Sequence, residues 1–445
     1  MRVRIKQNIL ISDIPEELGD EIRRALTVDN PKFLENLRMG RSVYRIPKTL
    51  KFYKKVKGEK LSFPRGFGLQ LARMCKEHDI TPEYVDETRV LEEENFEFAG
   101  KLRPYQQAAV DAVEKRRFAV LEACTGAGKT VMALSLVAER NQPTLILVHS
   151  KELMYQWCER CKTFLGIEPG VIGDGKKQVK PITVGIVNTV KKHAKELEKK
   201  FGHLVVDECH KCPSTMFSKC VNSFTCRYML GLSATPYRRD GLSCLIQYYI
   251  GETVHRVNPD HLEQIGAVLK PEIKWRDTYF RFPYNDNYHE MISALTSDEG
   301  RNQLIAGDVV KAAKGHGTGL VVSDRVEHLE TMMDLVERYD VKCRLLTGRT
   351  GKIERKQIVE ELNNNEIQVL FSTISLIGEG FDCAGLHTLF LTTPIRFSGR
   401  LKQVIGRILR PESGKRSVIY DYVDPVGVLK SSAKARSCTY RGDMD

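Results

Sequence analysis

The 445-residue sequence has no apolar run near the roughly 18–20 residues that a bilayer-spanning helix needs, and no apolar leader near its start. A membrane protein is therefore not expected. An intracellular one is, whether cytoplasmic, on a nucleoid or in a phage-infected cell. Acidic charge is in deficit, with 57 Asp and Glu against 69 Lys and Arg, a net charge of +12. That excess suits an anionic partner, nucleic acid before a membrane surface. The 12 cysteines are scattered and lack the look of a disulfide framework. Cys158/Cys161 and Cys209/Cys212 have metal-like spacing, but the first pair falls on an expected helix and the second enters an acidic motif. No structural metal is expected. No paired-carboxylate nuclease motif stands elsewhere. At this length about two to four domains fit.

What is present centres on Ala123-Cys124-Thr125-Gly126-Ala127-Gly128-Lys129-Thr130. The apolar run Phe118-Ala119-Val120-Leu121 leads in as a buried strand, and a helical pattern from Val131 to Ala138 leads out. Strand, Gly-rich turn, Gly-Lys-Thr and helix together make the context of a P-loop, with Ala123 where a first glycine is usual. Backbone N–H groups of such a turn converge on phosphate. Gly126 and Gly128 let the turn curl. Lys129 would reach the β/γ-phosphates of ATP, and the Thr130 hydroxyl would hold Mg²⁺.

The chain divides by pattern. Residues 1–97 form a small basic N-terminal module, with a strand at Val3–Lys6 and helices at Pro15–Leu26 and Phe67–His78. From Lys32 to Lys60, ten Lys and Arg stand against two Glu, with Phe33, Tyr44, Phe52, Tyr53 and Phe63 interleaved or close by. This suits phosphate contact with base stacking, or equally a hairpin pair with a small aromatic core and solvated lysines; both can hold. An acidic stretch, 86–97, reads as a linker. A first α/β domain spans 98–255, with strands at 118–121, 144–148, 182–187, 203–206 and 228–232. A connecting region covers 256–300. A second α/β domain spans 301–431, with strands at 318–322, 343–346, 368–372, 387–391 and 417–423. Residues 432–445 read as a disordered tail. Apolar strands alternating with helices predict parallel sheets covered on both faces, with ligands at the strands' carboxyl ends.

Asp207 and Glu208 follow the apolar strand Leu204-Val205-Val206, the pattern of a Walker B site. Asp207 would take Mg²⁺, and Glu208 would orient and deprotonate the attacking water. His210, two residues on, is placed to sense that state. Arg407 and Arg410 stand at i and i+3, with Gln403 one turn earlier and Gly406 permitting close approach. They fit arginine fingers aimed at a γ-phosphate.

These motifs, with Ser233-Ala234-Thr235, occur in the order found in the superfamily 2 helicases and translocases, and the resemblance covers about residues 100–425. It implies two RecA-like parallel-sheet domains in tandem, clamping one ATP, behind a small α+β N-terminal domain. Gln106, with Arg103 nearby, resembles the adenine-reading element. Ser233 and Thr235 resemble the element that couples hydrolysis to motion. Gly380 and Asp382 match a second-domain motif that touches nucleotide and nucleic acid. Ser150, Lys151 and Glu152, then Asn188, Thr189, Thr347, Gly348, Ser372 and Thr373, stand where the family grips a nucleic-acid backbone. Leu102-Arg103-Pro104-Tyr105-Gln106, the Asp-Glu-Cys-His box and Ser233–Gly241 resemble the XPB-like branch. The N-terminal layout, with Asn30-Pro31-Lys32-Phe33 and Phe63–Leu69, is similar to that of the UvsW-like recombination helicases. XPB helicases carry Arg-Glu-Asp where this chain has Arg238-Arg239-Asp240, and long extensions that it lacks.

The sequence thus predicts an ATP-dependent DNA helicase or translocase that remodels branched, forked or junction DNA in recombination, repair or replication, acting as a monomer. Alternatives are an RNA helicase, an ATP-switched nucleic-acid-binding scaffold, and the motor subunit of a restriction or nuclease complex.

Overall fold

The computed structural model describes residues 1–211, 219–234, 241–266, 269, 271–315, 317–378, 385–395, 404–405 and 417–441. Two compact units divide the chain: Met1–Ala123 with Gly128–Val257, and Cys124–Ala127 with Asn258–Asp445.

The first unit opens with seven short strands: β1 (Arg2–Ile5), β2 (Asn8–Ser12), β3 (Thr27–Asp29), β4 (Thr49–Lys51), β5 (Lys54–Val56), β6 (Lys60–Pro64) and β7 (Glu83–Asp86). Five of them form a sheet in the order β5-β6-β2-β1-β7. Its pairs are antiparallel except β1 with β7. Alternation decides which face is inside: Ile9 and Ile11 of β2 point inward, as Leu61 and Phe63 of β6 do. Helices Glu16–Ala25 and Gly68–Glu77 cover that face with Leu18, Ile22, Leu71 and Met74. The basic stretch folds as a helix, Pro31–Arg38, capped by the Asn30 side chain, followed by β4 and the β5–β6 hairpin.

This small core does not close on itself. Leu242, Leu245 and Tyr248 complete it, and the Tyr248 hydroxyl donates to Ala25 O at 2.7 Å. Arg65 is buried at the junction. Its guanidinium donates to Lys6 O (3.3 Å) and Cys226 O (3.0 Å) and lies 5.1 Å over the Phe118 ring. At Gly66 a Cβ would come within 2.4 Å of Gln247 O, so only glycine lets the two backbones approach this closely. The acidic stretch expected to be a linker is laid down as a strap. Arg89 bridges Cys226, Leu91 N–H donates to the Gln142 side chain at 2.8 Å, and Phe96 N–H donates to Asn141 Oδ1 at 2.9 Å. Ala99 N–H donates to Phe164 O at 2.8 Å. Phe96 is buried while Glu92, Glu93 and Glu97 face solvent.

The large sheet of this unit has β8 (Phe118–Glu122), β9 (Thr144–Val148), β10 (Gly170–Gly173), β11 (Lys176–Lys177), β12 (Ile182–Ile186), β13 (His203–Val206), β14 (Tyr228–Ser233) and β15 (Thr253–Arg256). The order is β11-β10-β12-β9-β13-β14-β8-β15. Every pair but β10 with β11 is parallel. β9 and β13 are buried at every residue, as strands covered on both faces must be.

In the second unit, β16 (Glu272–Asp277), β17 (Thr318–Ser323), β18 (Cys343–Leu346), β19 (Val369–Thr373), β20 (Leu386–Leu391) and β21 (Val418–Val423) form an all-parallel sheet, ordered β16-β21-β20-β17-β19-β18. Alternate residues feed two apolar layers, Leu320, Val322, Leu370 and Leu389 in one and Val321, Val369, Phe371 and Phe390 in the other. The region expected to connect the domains supplies the edge strand β16.

The stretch expected to be a disordered tail is instead helical, within Gly427–Arg441. Its anchor is electrostatic. Arg436 donates to both oxygens of Asp421 (2.8 and 2.6 Å), and the Tyr440 hydroxyl donates to Asp421 Oδ2 at 2.5 Å, with the Arg436 and Asp421 side chains buried. Arg436→Ala leaves that carboxylate without its counter-charge, a change expected to cost about 3–5 kcal/mol. A lowered denaturation midpoint of the full chain checks it; an unchanged midpoint refutes the anchoring role.

Candidate nucleotide site

β8 runs directly into the Gly-rich turn, and the helix Lys129–Arg140 leaves it. Gly128 caps that helix at φ +83°, a left-handed conformation that a side chain resists. A Cβ there would also sit 2.4 Å from Gln106 Nε2. Gln106, on the helix Pro104–Glu114, is therefore pressed against the turn, and its Oε1 accepts the Arg103 N–H at 2.9 Å. The Lys129 ammonium donates to Ala123 O at 2.8 Å, which folds it back over the turn. Within the turn, Ala127 N–H donates to Cys124 O at 3.2 Å; Thr125, Gly126 and Thr130 complete the sequence motif.

The acidic pair stands at the carboxyl end of β13. Asp207 is buried, its Oδ2 accepting the Trp157 indole N–H at 2.8 Å and its Oδ1 the Glu208 N–H at 2.9 Å. Burial first, then the neighbouring Glu208 carboxylate, pushes the Asp207 carboxyl up to about 6, against the opposing pull of Trp157 and Lys129. Glu208 itself is held at φ +46°, a strained backbone for a side-chain-bearing residue. His210 joins two motifs: its Nδ1 lies 2.9 Å from Ser233 Oγ and 3.4 Å from Glu208 Oε2. Ser233 ends β14, and its carbonyl accepts the Ala123 N–H at 3.0 Å. Asp207, Glu208, Ser233 and Ala123 thus stand at one edge of the sheet.

The remaining predicted residues fall as follows. Ser150 caps the helix Lys151–Leu165, accepting the Leu153 N–H at 3.3 Å, and Lys151 is ion-paired with Asp174. Asn188 and Thr189 lie in the helix Val187–Lys192, Asn188 exposed. These flank the same edge, after β9 and β12. In the second unit, Thr347 is buried and its Oγ1 accepts the Arg349 N–H at 3.2 Å, whereas Gly348 is exposed. Ser372 is buried and its hydroxyl donates to Leu346 O at 2.7 Å, tying β19 to β18. Thr373 ends β19. Thr235, Gly380, Asp382, Gln403, Arg407 and Arg410 lie outside the described residues. Cys158 and Cys161 are buried core residues of the helix Lys151–Leu165.

Trp157 escaped the sequence reading. A buried indole needs an acceptor for its N–H, and its place in the helix after β9, with β13 pairing β9, was the available signal.

Two family models match the chain. The one described as type III restriction enzyme, res subunit, matches residues 99–238, and the helicase conserved C-terminal domain matches residues 302–412. The probable helicase D10 of Escherichia phage T5 is 28% identical over 323 residues, 72% of this chain and 70% of that protein. The DNA 3'-5' translocase XPB2 of Sulfurisphaera tokodaii is 27% identical over 363 residues, 72% and 81% of the two chains. The ATP-dependent DNA helicase uvsW of Enterobacteria phage T4 is 26% identical over 274 residues, 59% and 54% of the two. The chain is a superfamily 2 helicase of the XPB-like and UvsW-like branch. It is accordingly an ATP-hydrolysing enzyme with tandem RecA-like sheets and a small N-terminal domain. No described helix of this helicase is long and apolar enough to cross a membrane.

Two substitutions probe the site. Gly128→Ala adds left-handed strain of about 1–2 kcal/mol and the clash with Gln106, so nucleotide affinity should fall at least about tenfold. Fluorescent-nucleotide titration reads it. Trp157→Phe should cost about 1.5–3 kcal/mol as the buried carboxylate loses its donor. That loss should shrink when Asp207→Asn is also present; an undiminished loss in the double variant refutes the Trp157–Asp207 bond as its source.

Proposed function

We propose that this chain is an ATP-driven DNA helicase or translocase acting on branched or forked DNA. The observation that carries this is the run from Glu208 through His210 to Ser233, which links the acidic pair to the phosphate-turn strand. In this reading Lys129 leaves Ala123 O to take the β/γ-phosphates of ATP, and the turn's N–H groups cradle them. Glu208 orients the attacking water and accepts its proton. His210 reports the change to Ser233 and Thr235. Arg407 and Arg410 supply positive charge to the γ-phosphate in the transition state, Gln403 adds an amide donor, and Gly380 and Asp382 serve the second domain's side of the nucleotide. Gln106 and Arg103 select adenine.

Magnesium fits the donors present. The Asp207 carboxylate and the Thr130 hydroxyl are hard oxygen ligands, and a cation beside Asp207 would offset the burial that raises its carboxyl. When bound, Mg²⁺ would neutralise phosphate charge.

Along the strand, the proposed backbone grips are Ser150, Lys151, Asn188 and Thr189 in the first domain and Thr347, Gly348, Ser372 and Thr373 in the second. The basic N-terminal domain would recognise the branch. We propose domain limits of 1–97, 98–255 and 301–431, a monomeric state, and a role in recombination, repair or replication.

Lys129→Ala and Glu208→Gln should each abolish ATP turnover, with Glu208→Gln still binding nucleotide. Full hydrolysis by Glu208→Gln would remove the assigned base. Forked DNA should raise the ATPase rate, with an affinity that falls linearly on a log–log plot against salt. A rate indifferent to forked, duplex and single-stranded DNA, or raised only by RNA, refutes the DNA motor.

A further inference from the structure

A cavity of about 530 Å³ opens between the N-terminal domain and the first RecA-like sheet, both within the first unit. Its N-terminal wall carries Lys51, Tyr53 and Lys54; the opposite wall carries Lys219, Asn222 and Tyr249. Three lysines thus border one space, and among the described residues that line it there is no acidic one. Lys51, Lys54 and Lys219 are exposed, whereas the two tyrosines are half-buried, so cations ring the mouth and ring edges or faces form the walls. Asn222 adds an amide that can both donate and accept. The volume lies in the range of small-ligand sites. The walls are fixed relative to one another by Arg65, by the close approach at Gly66 and by the core that Tyr248 completes. A site so preset loses little on filling.

Ammonium groups beside tyrosine rings, with one amide and no acid, match a nucleotide: phosphate for the lysines, a base for the rings. We propose that this cavity holds one unpaired nucleotide of a single DNA strand. The proposal rests on the DNA-motor reading above and deepens it, giving the N-terminal domain a site shared with the motor. Because both walls belong to one compact unit, the held nucleotide would move with the first RecA-like domain.

The test is fluorescence anisotropy of a labelled oligodeoxythymidine with the full chain, over a series of salt concentrations, beside a blunt duplex. Lys51→Ala/Lys54→Ala should make the single-strand slope of log K against log salt shallower by about 0.7, the contribution of the one phosphate contact that the held nucleotide brings. Tyr53→Ala should weaken single-strand binding about tenfold, whereas Tyr53→Phe keeps it. Duplex affinity should change much less. The lysine side chains are exposed, so that variant stays informative should Tyr53→Ala fail to fold. An unchanged slope in the lysine variant, or an equal loss on duplex, overturns the proposal. So does a Tyr53→Phe protein as weak as Tyr53→Ala. The motor reading fails separately, when no nucleic acid raises the wild-type ATPase rate.

Discussion

The parallel pairing of β13, β14 and β8 is the constraint on which the rest of this molecule depends. Three apolar strands lie side by side in register, Val206 opposite Gly231 and Gly231 opposite Val120. Their carboxyl ends therefore emerge together, and each ends in a polar motif. Parallel strands need covered faces, so the apolar interior that stabilises the sheet also fixes the height at which Asp207, Ser233 and the phosphate turn appear. The geometry of this edge follows from hydrophobic packing. A one-residue slip of β14 would carry Ser233 off the edge and away from His210.

That edge also stores strain and desolvation. Glu208 is held in a left-handed backbone, and Asp207 is a carboxylate taken out of water with a single indole and one amide as its bonded donors among the described contacts. Neither arrangement is favourable alone. Both are tolerated because the strands beneath are buried, β13 at every residue and β14 at all but Tyr228. Local destabilisation at a functional edge, supported by the sheet below it, is how such sites stay poised for a charged ligand.

Much of this could be read from residues in order. Thr144–Val148 and His203–Val206 emerge with the bounds their apolar runs imply, because a strand buried on both faces writes itself as an uninterrupted hydrophobic segment between polar breaks. The link from His210 to Ser233 was legible as two motifs but not as a bond, since 23 residues separate them. Other features left no local trace. The helix within Gly427–Arg441 is polar and without clear period, and what orders it is Asp421, a residue in a strand already passed. The strap over 88–99 looked like a linker because its side chains are acidic; its backbone bonds to Thr225, Asn141 and Phe164, joined by the Arg89 side chain on Thr225 and the Phe98 ring on Phe164, leave no period in the sequence.

The N-terminal domain shows the same limit in its most consequential form. Composition gave it lysines and aromatic residues, which fit a nucleic-acid surface and a solvated hairpin equally. Contacts decide how far it can act alone. Arg65 is a buried guanidinium whose bonds run to carbonyls on both sides of the junction, and whose charge burial pushes its pKa down to about 10. Removing water from such a group is costly unless its partners are fixed. A hinge at this junction would expose or strand that charge at every stroke. The domain packs onto the large sheet within one compact unit, with that buried charge held between the two.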